Sequence, residues 1–374
     1  MRGGTSKGAY FLAADLPTDP AARDDLVLRI VGSPDPRQID GIGGATTLTT
    51  KVALVSPPSD PTRADVDYLF LQPAVDQARV SLDQNCGNLL AGVAQFALER
   101  GLLPAPPAGA TSANARILMV NTDSVATATF PVADGLPVYG GDTLISGAPF
   151  PAAAVRLDFA DIAGSSCGAL LPTGNPVDEI DGIRVTLIDN GMPVVVLAAA
   201  DVGITGYETP AEIEADAELR ARLESIRLQA GPLMNLGDVS ATTVPKLTLV
   251  AAPRAGGALS TRTLIPHRVH EAIGVLGAVS VATAAMLPGS PAHAVLAADV
   301  AAAPADGDVV VTVEHPTGTF DAALTRQSGA VVSAGIIRTA RKLFEGTVYP
   351  RPTSTPPTSA QPQPGPASTA GVTS

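Results

Sequence analysis

The hydrophobic pattern of the chain divides into short β-branched runs and longer stretches with helical spacing. The short runs are bounded by Pro, Gly and Asp, which is typical of strands that end in turns, and they cover Lys51–Val55, Val66–Leu71, Val194–Leu197 and Val309–Val313. Helical periodicity predicts helices over Asp19–Val31, Asn88–Gly101, Pro210–Gln229 and Glu271–Met286. Strands and helices do not alternate strictly, so the predicted fold class is α+β.

The chain also resembles itself. Three ordered matches pair Ala45–Pro58 with Ala241–Pro253, Arg2-Gly3-Gly4 with Asn190-Gly191-Met192, and Cys86-Gly87-Asn88 with Leu276-Gly277-Ala278. The partners lie roughly 190 residues apart, which predicts an internal duplication with two pseudo-symmetric halves. The alternative is chance similarity between Thr- and Val-rich strands.

The duplication sets the predicted domain organisation. The first half is expected over residues 1–182 and the second over 183–349. Residues 350–374 consist mostly of Pro, Thr, Ser, Gln, Gly and Ala, which predicts a disordered tail. A ligand would bind in the cleft between the halves, where the repeated Gly-rich segments converge.

Composition narrows the class of partner. Of the 374 residues, 45% are hydrophobic and 3% aromatic, so the core must be packed mainly with small aliphatic side chains. A net charge of −12 disfavours binding to nucleic acid or to an anionic membrane. We therefore expect a small-molecule substrate bound in a locally positive pocket, and the sequence leaves a homo-oligomer open.

Cysteine usage and the amino terminus bear on location. The two cysteines, Cys86 and Cys167, make no disulfide framework, and free thiols are typical of a reducing compartment. The start of the chain lacks a signal peptide, and no apolar stretch is long enough to span a bilayer. The expected location is the cytoplasm.

Cys86 is the first candidate for chemistry. It precedes an apolar helix, and a helix N-terminus favours the thiolate, which can act as a general base. The backbone N–H groups of Gly87 and Asn88 could hold a substrate carboxylate. The structural alternative is an ordinary buried cysteine.

Lys51 and the opening turn are the next candidates. Lys51 follows a Gly-rich turn at the edge of a predicted strand, where it could act as acid, base or anchor, although a surface lysine is the simpler interpretation. The opening turn supplies further carboxylate-binding candidates, namely Arg2, Thr5, Ser6 and Lys7. Its spacing is not that of a P-loop.

The second half contributes weaker candidates. Asn190 lies on the turn that matches the opening turn, and Arg268 lies near the start of a predicted helix, so both are expected to bind substrate. His267 and His270 have no third ligand at useful spacing, so no metal is expected. Cys167 lies outside the repeat and is expected to be structural.

A set of motifs along almost the whole chain carries a family resemblance. The motifs are Met1–Gly8, Gly32–Gly44, Lys51, Asn85–Asn88, Leu171–Gly174, Ile188–Pro193, Ile265–Arg268, Glu314–Gly318 and Arg338–Lys342. They resemble the PrpF-type branch of the diaminopimelate-epimerase-like superfamily. The resemblance implies two similar domains, each a central helix wrapped by mostly antiparallel strands, and an active site between them that uses no metal or cofactor. It also implies that Lys51 and Cys86 transfer the proton.

The chain departs from this family pattern in two places. Epimerases of the superfamily have a second cysteine at the matching helix start, where this chain has Leu276, Gly277 and Ala278. Racemisation by two thiols is therefore unavailable, and isomerisation by one thiol and one lysine is expected. Family members also have a strand ahead of the position of Met1, which suggests a truncated start.

The resemblance implies an isomerase that moves a proton within a tricarboxylic 2-oxo acid such as 4-oxalomesaconate, an intermediate of gallate or protocatechuate breakdown. One alternative is an isomerase of the methylaconitate type from propionate metabolism. A second alternative is a non-catalytic carboxylate-binding protein on the same fold.

Overall fold

The computed structural model describes residues 1–82, 85–160 and 162–353. The strands of the first half are β1 (Arg2–Gly3), β2 (Ser6–Lys7), β3 (Ala9–Leu12), β4 (Val52–Ser56), β5 (Val66–Pro73), β6 (Val80–Ser81), β7 (Ser112–Met119), β8 (Ser124–Ala133), β9 (Leu136–Pro137) and β10 (Ala154–Phe159). Its α-helices are α1 (Pro20–Val31), α2 (Gly87–Leu90) and α3 (Val93–Glu99).

The second half continues with a longer series of strands. They are β11 (Asp178–Ile180), β12 (Ile183–Asp189), β13 (Pro193–Ala198), β14 (Lys246–Ala251), β15 (Leu259–Leu264), β16 (Gly307–His315), β17 (Gly318–Gln327) and β18 (Ala330–Arg341). Its α-helices are α4 (Pro210–Ala215), α5 (Ala217–Leu233), α6 (Val275–Ala285), α7 (Pro291–Ala294) and α8 (Ala298–Ala301). No helix in the described ranges is both long enough and apolar enough to cross a bilayer.

Strand pairing confirms the predicted duplication. In the first half β3 runs parallel to β4, β4 antiparallel to β5, β5 parallel to β7, and β7, β8 and β10 follow antiparallel. The second half repeats this series with β13, β14, β15, β16, β17 and β18. Helical structure also recurs at the same places: α1 in the first half, and α4 with α5 in the second, lie between the first two strands of the series. The central helix of each half lies between the third and fourth strands. Chance similarity would not produce a matching strand order.

The two halves are joined through the sheet. β10 pairs antiparallel with β18, from Ala154 opposite Thr339 to Phe159 opposite Ala334, and β1 pairs with the end of β18. The hairpin of β11 and β12 spans the predicted boundary at residue 182, and the exact division into domains stays a prediction.

Burial follows from how the strands wrap the central helices. Every α6 residue from Gly277 to Ala285 is buried, which is typical of a helix enclosed on all sides. Side chains alternate across β4, so that Ala53 and Val55 join the central core while Val52 and Leu54 pack in the outer cluster beneath α1. The outer cluster of the second half packs against α5.

The predicted helices exist, but their bounds differ. The Asn88–Gly101 helix is divided into α2 and α3, because the Tyr10 hydroxyl donates a hydrogen bond to the Leu89 carbonyl and lies against Gly92. The Pro210–Gln229 helix is divided at Asp216, whose carboxylate caps α5 by accepting from the Leu219 N–H (2.9 Å). The helix predicted from Glu271 begins only at Val275.

The end of the described chain folds back over the first half. The Arg29 guanidinium donates to the Arg351 carbonyl (2.7 Å), and Arg351 donates to the Ser33 carbonyl (3.2 Å). The tail was predicted to be disordered from residue 350 onward. Its described residues, 350–353, are instead held against the end of α1 through Arg351. The prediction for residues 354–374 lies outside the described residues.

The junction between the halves requires glycine at one position. A Cβ on Gly335 of β18 would lie 2.0 Å from the Leu157 carbonyl oxygen of β10. We expect Gly335→Ala to lower the free energy of unfolding by roughly 1–3 kcal/mol, because the two strands must separate. Urea denaturation followed by circular dichroism measures this change.

Gly277→Ala is the matched control, because no described atom lies within 4 Å of the Cβ it would add inside α6. It should stabilise the protein by about 0.5–1 kcal/mol. Equal stability of the two variants would contradict the close approach of β10 and β18.

Candidate active site

Cys86 lies at the start of the first central helix. It is the N-cap residue of α2, and its side chain makes no capping hydrogen bond. The residue is 8% exposed, and no described atom lies within 4 Å of a Cβ built on Gly87. Cys86 is therefore nearly buried at the helix start that the sequence predicted, and the neighbouring Gly87 position adjoins open space.

Lys51 lies on the same face of the sheet as the central helix. Its ammonium nitrogen is 5.0 Å from the centre of the Phe70 ring and donates to Gln72 Oε1 (2.8 Å). Tyr68, which shares this face of β5 with Phe70, donates to the Cys86 carbonyl (3.3 Å). One face of β5 thus meets both candidate catalytic residues.

Gln72 holds the Lys51 ammonium in place. Its Nε2 donates to the Thr50 carbonyl (2.8 Å), which leaves Oε1 facing Lys51. Lys51 itself is only 9% exposed, so this amide and the Phe70 ring form much of its surroundings. Gln72 is a positioning residue that sequence reasoning missed, because nothing in the strand pattern marks it.

The opening turn docks onto the start of α2. Asn88 Nδ2 donates to Thr5 Oγ1 (3.0 Å) and to Ser6 Oγ (3.3 Å). Gly4 has a φ of +52°, and a Cβ at this position would overlap the Asn88 side chain. The turn and the Cys86 helix start therefore form one surface.

The two cations of the opening turn have separate surroundings. Arg2 Nη1 donates to the Gly4 carbonyl (2.8 Å) and to Thr339 Oγ1 (2.8 Å), which ties the turn to β18. Burial and the nearby Arg341 lower the pKa of Arg2. The Lys7 ammonium lies beside Gly44, 3.1 Å from where a Cβ would be, on the Gly-rich turn that leads to Lys51.

A cavity of about 380 Å³ lies between the two halves, where the sequence placed the site. Its lining residues are Thr5, Asn88, Ile145, Ser146, Gly147, Ala272, Ile273, Val275, His315, Thr317, Thr319, Phe320, Asp321 and Arg338. Ser146 Oγ accepts from the Thr319 N–H (2.9 Å), so a loop of the first half bridges the cleft to the second.

Arg338 lines this cleft and was not among the predicted site residues. It is 8% exposed, and its guanidinium carbon lies 4.1 Å from the centre of the Phe320 ring. Burial lowers the pKa of Arg338 to about 10. The sequence signal was a single charged residue inside the run Ala334–Ala340, whose other members are apolar except for Thr339.

Arg268 and Asn190 are not brought to this cleft. Residues 265–268 form a tight turn, in which the Ile265 N–H donates to the Arg268 carbonyl (2.8 Å), and the Arg268 side chain is 80% exposed beside Glu214. Asn190 is buried behind α6, where its Nδ2 donates to Thr283 Oγ1 (2.9 Å). We leave both residues out of the proposed site.

The histidines near Arg268 form no metal site within the part of the chain that the structure describes, where no group of His, Cys, Asp and Glu could hold an ion. His270 Nδ1 accepts from the Ala272 N–H (2.9 Å), which orders the entry to α6. His270 is therefore engaged as a loop contact.

Cys167 has the surroundings of a structural thiol. It is 2% exposed, and its N–H donates to the Asp189 carboxylate (2.8 Å). Burial and the charge of Asp189 raise the pKa of Cys167 to about 12. Cys167 therefore stays protonated at neutral pH and is a poor nucleophile.

Comparison with known proteins agrees with this architecture. A family model described as PrpF protein matches residues 1–351. The chain belongs to the PrpF family. It is 57% identical to a (4E)-oxalomesaconate Delta-isomerase of Novosphingobium sp. (strain KA1), over 93% of this chain and 96% of that protein. It is 56% identical to a 4-oxalomesaconate tautomerase of Pseudomonas putida (strain KT2440), over 93% and 94%.

A solved structure of methylitaconate-delta-isomerase has the same architecture. It is 34% identical in sequence, superimposes with a TM-score of 0.81, and the match covers 92% of each chain. The predicted fold class, α+β with two epimerase-like halves, is confirmed. These relatives are isomerases, and this PrpF-family chain is accordingly an isomerase.

The surroundings of the two cysteines lead to a test of thiol reactivity. We expect iodoacetamide at pH 8 to alkylate Cys86 at least tenfold faster than Cys167, because the Cys167 pKa of about 12 leaves almost no thiolate. Peptide mass spectrometry over a time course measures both rates. Cys167→Ala should show the wild-type labelling rate and Cys86→Ala almost none, whereas faster labelling of Cys167 would contradict the assignment.

Proposed function

We propose that this isomerase acts on 4-oxalomesaconate or a closely similar tricarboxylic 2-oxo acid. The observation that carries the proposal is the approach of Lys51 and Cys86 to one face of β5, with Cys86 at the start of the helix whose Asn88 lines the cleft between the halves. The oxalomesaconate activities named for relatives at 56–57% identity support the choice of substrate.

The proposed reaction moves one proton within the substrate. One member of the Cys86 and Lys51 pair removes an acidic proton beside the 2-oxo group, which gives an enolate. The other member returns a proton to an oxygen or to the conjugated carbon, which gives the enol or the shifted double bond. Either order leaves the atoms and the charge of the substrate unchanged overall.

The surface formed by the opening turn and the α2 start is proposed to bind the substrate beside this pair. Thr5 and Asn88 line the cleft, and a Cβ built on Gly87 would meet no described atom within 4 Å. Ser6, Lys7 and Arg2 support this surface from the same turn. Backbone and amide donors that are fixed in this way would stabilise an enolate without reorganising.

The cellular setting follows from the substrate. 4-Oxalomesaconate would be supplied by ring-cleavage chemistry on gallate or protocatechuate, and a free catalytic thiol suits the cytoplasm. An isomerase of methylaconitate and a non-catalytic carboxylate binder remain the two rival functions that an experiment must separate.

The test is proton NMR of 4-oxalomesaconate in deuterated buffer. Wild-type protein should isomerise the substrate and introduce deuterium at the exchanging carbon, and Cys86→Ala and Lys51→Ala should each lose at least 100-fold in rate, because one proton-transfer group is missing. Matched controls are Cys167→Ala and Lys246→Ala; Lys246 is the repeat equivalent of Lys51 and lies on β14 of the second half rather than next to β5.

Each possible result points to one function. Turnover of methylaconitate alone would assign the rival isomerase activity. Tight binding of 4-oxalomesaconate without deuterium exchange would assign a carboxylate-binding protein. Full activity of either Cys86→Ala or Lys51→Ala would contradict the proposal that these two residues are the acid/base pair.

Gln72 provides a second test, through Lys51. Gln72→Leu removes the acceptor of the Lys51 ammonium, and we expect kcat to fall roughly 10-fold with little change in KM, since one hydrogen bond to a charged group is lost. The exposed Gln77 supplies the matched control, Gln77→Leu, which should keep the wild-type kcat. Steady-state kinetics measure kcat and KM for both variants. An unchanged kcat in Gln72→Leu would rule out a role of Gln72 in positioning Lys51.

A further inference from the structure

The charges that face the cleft are unevenly distributed between its walls. Among the described residues that line it, Arg338 is the one arginine, and no lysine is present. Burial lowers the pKa of His315, so this side chain is neutral at pH 7. Asp321 accepts a hydrogen bond from Thr312 (2.7 Å). A polycarboxylate that enters a protein of net charge −12 therefore meets one permanent cation in this wall.

The Arg338 guanidinium has an unused hydrogen-bonding edge. Its Nη1 donates to the Ile337 carbonyl (2.8 Å), while Nε and Nη2 donate to no described residue. The Phe320 ring, 4.1 Å away, supports one face of the guanidinium and restricts its plane. Nε and Nη2 together form the fork that binds a carboxylate through two parallel hydrogen bonds.

Other buried arginines of the chain have their partners within the protein. Arg227, which is 1% exposed, forms an ion pair with Glu224 (2.7 Å). Arg262 donates to the carbonyls of Glu208 and Thr261. Arg338 forms no ion pair with any described carboxylate. Asp321 lines the same cavity and its charge acts on Arg338, but it forms no direct ion pair with the guanidinium. A buried guanidinium that lacks a direct ion-pair partner is costly, and in a ligand cleft an anion can supply that partner.

We propose that Arg338 binds one carboxylate of the substrate, in the cleft that Arg338 shares with Asn88 of the Cys86 helix start. The inference rests on the proposed function and deepens it, because it assigns a carboxylate that lies away from the reacting carbon. Thr5 and Asn88 line the same cavity, so a ligand held at Arg338 can reach the helix start that carries Cys86. The ligand class is a dicarboxylate or tricarboxylate, and a monocarboxylate would use only one end of the cleft.

The experiment compares wild type with Arg338→Gln by kinetics and by calorimetry. The calorimetric probe is tricarballylate, a tricarboxylate without a 2-oxo group or double bond, so its binding does not depend on turnover. We expect Arg338→Gln to raise KM for 4-oxalomesaconate and Kd for tricarballylate on the order of 100-fold, since two hydrogen bonds to a charged group are lost. The effect on kcat should be smaller than the effect on KM.

Two further variants make the result decisive. Arg268→Gln removes an exposed arginine outside the cleft and should leave KM and Kd unchanged. Arg338→Lys keeps the charge and most of the side-chain volume but loses the fork, so its Kd should rise about 10-fold. If the melting curve shows that Arg338→Gln does not fold, the Kd of Arg338→Lys for tricarballylate tests the proposal instead.

The outcomes separate this inference from the proposed function. Wild type that binds tricarballylate through Arg338 but does not isomerise 4-oxalomesaconate would keep the carboxylate site and overturn the proposed reaction. Wild type that isomerises the substrate, together with Arg338 variants of unchanged KM and Kd, would overturn the carboxylate site. Failure of wild type to bind tricarballylate would also count against it.

Discussion

The central helix of each half has almost no polar surface, and the strands must enclose it on every side. Along α6 every residue from Gly277 to Ala285 is buried, and the residues of α3 from Val93 to Ala97 are likewise buried. A helix enclosed in this way meets solvent only at its ends. The starts of the two central helices therefore supply residues to the cleft, Asn88 from one and Val275 from the other. The position of the site is a consequence of how the core is packed.

Duplication of this unit did not produce two equivalent sites. The first half contains Cys86 at its helix start and Lys51 at its strand edge, whereas the second has Leu276 and Lys246 at the matching positions. The Leu276 side chain packs against Gly191, so the second helix start is closed by an apolar contact. In the proposed arrangement one half performs proton transfer and the other, through Arg338, holds the ligand.

Parts of the site that depend on local sequence could be predicted, and parts that depend on long-range packing could not. Cys86 and Lys51 lie next to Gly-rich turns that recur along the chain, and strand alternation places Lys51 on the inner face. Arg338 was missed because its significance comes from its place in the cleft and from the lack of a direct ion-pair partner among the described residues, both of which depend on distant strands. Arg268 was predicted to bind substrate because its sequence neighbours suggest a helix start, whereas the tight turn at residues 265–268 leaves its side chain exposed beside Glu214.

The pairing of β1 and β10 with β18 also constrains the order of assembly during synthesis. While the first half emerges from the ribosome, β10 has one edge without its partner, and the opening turn lacks the Thr339 contact of Arg2. The β10 edge and the opening turn gain these partners only when β18, near the end of the described chain, has been translated. An unpaired strand edge can associate with other chains, so this interval is the one in which a chaperone would shield the nascent protein. The active site is completed only when translation has passed β18.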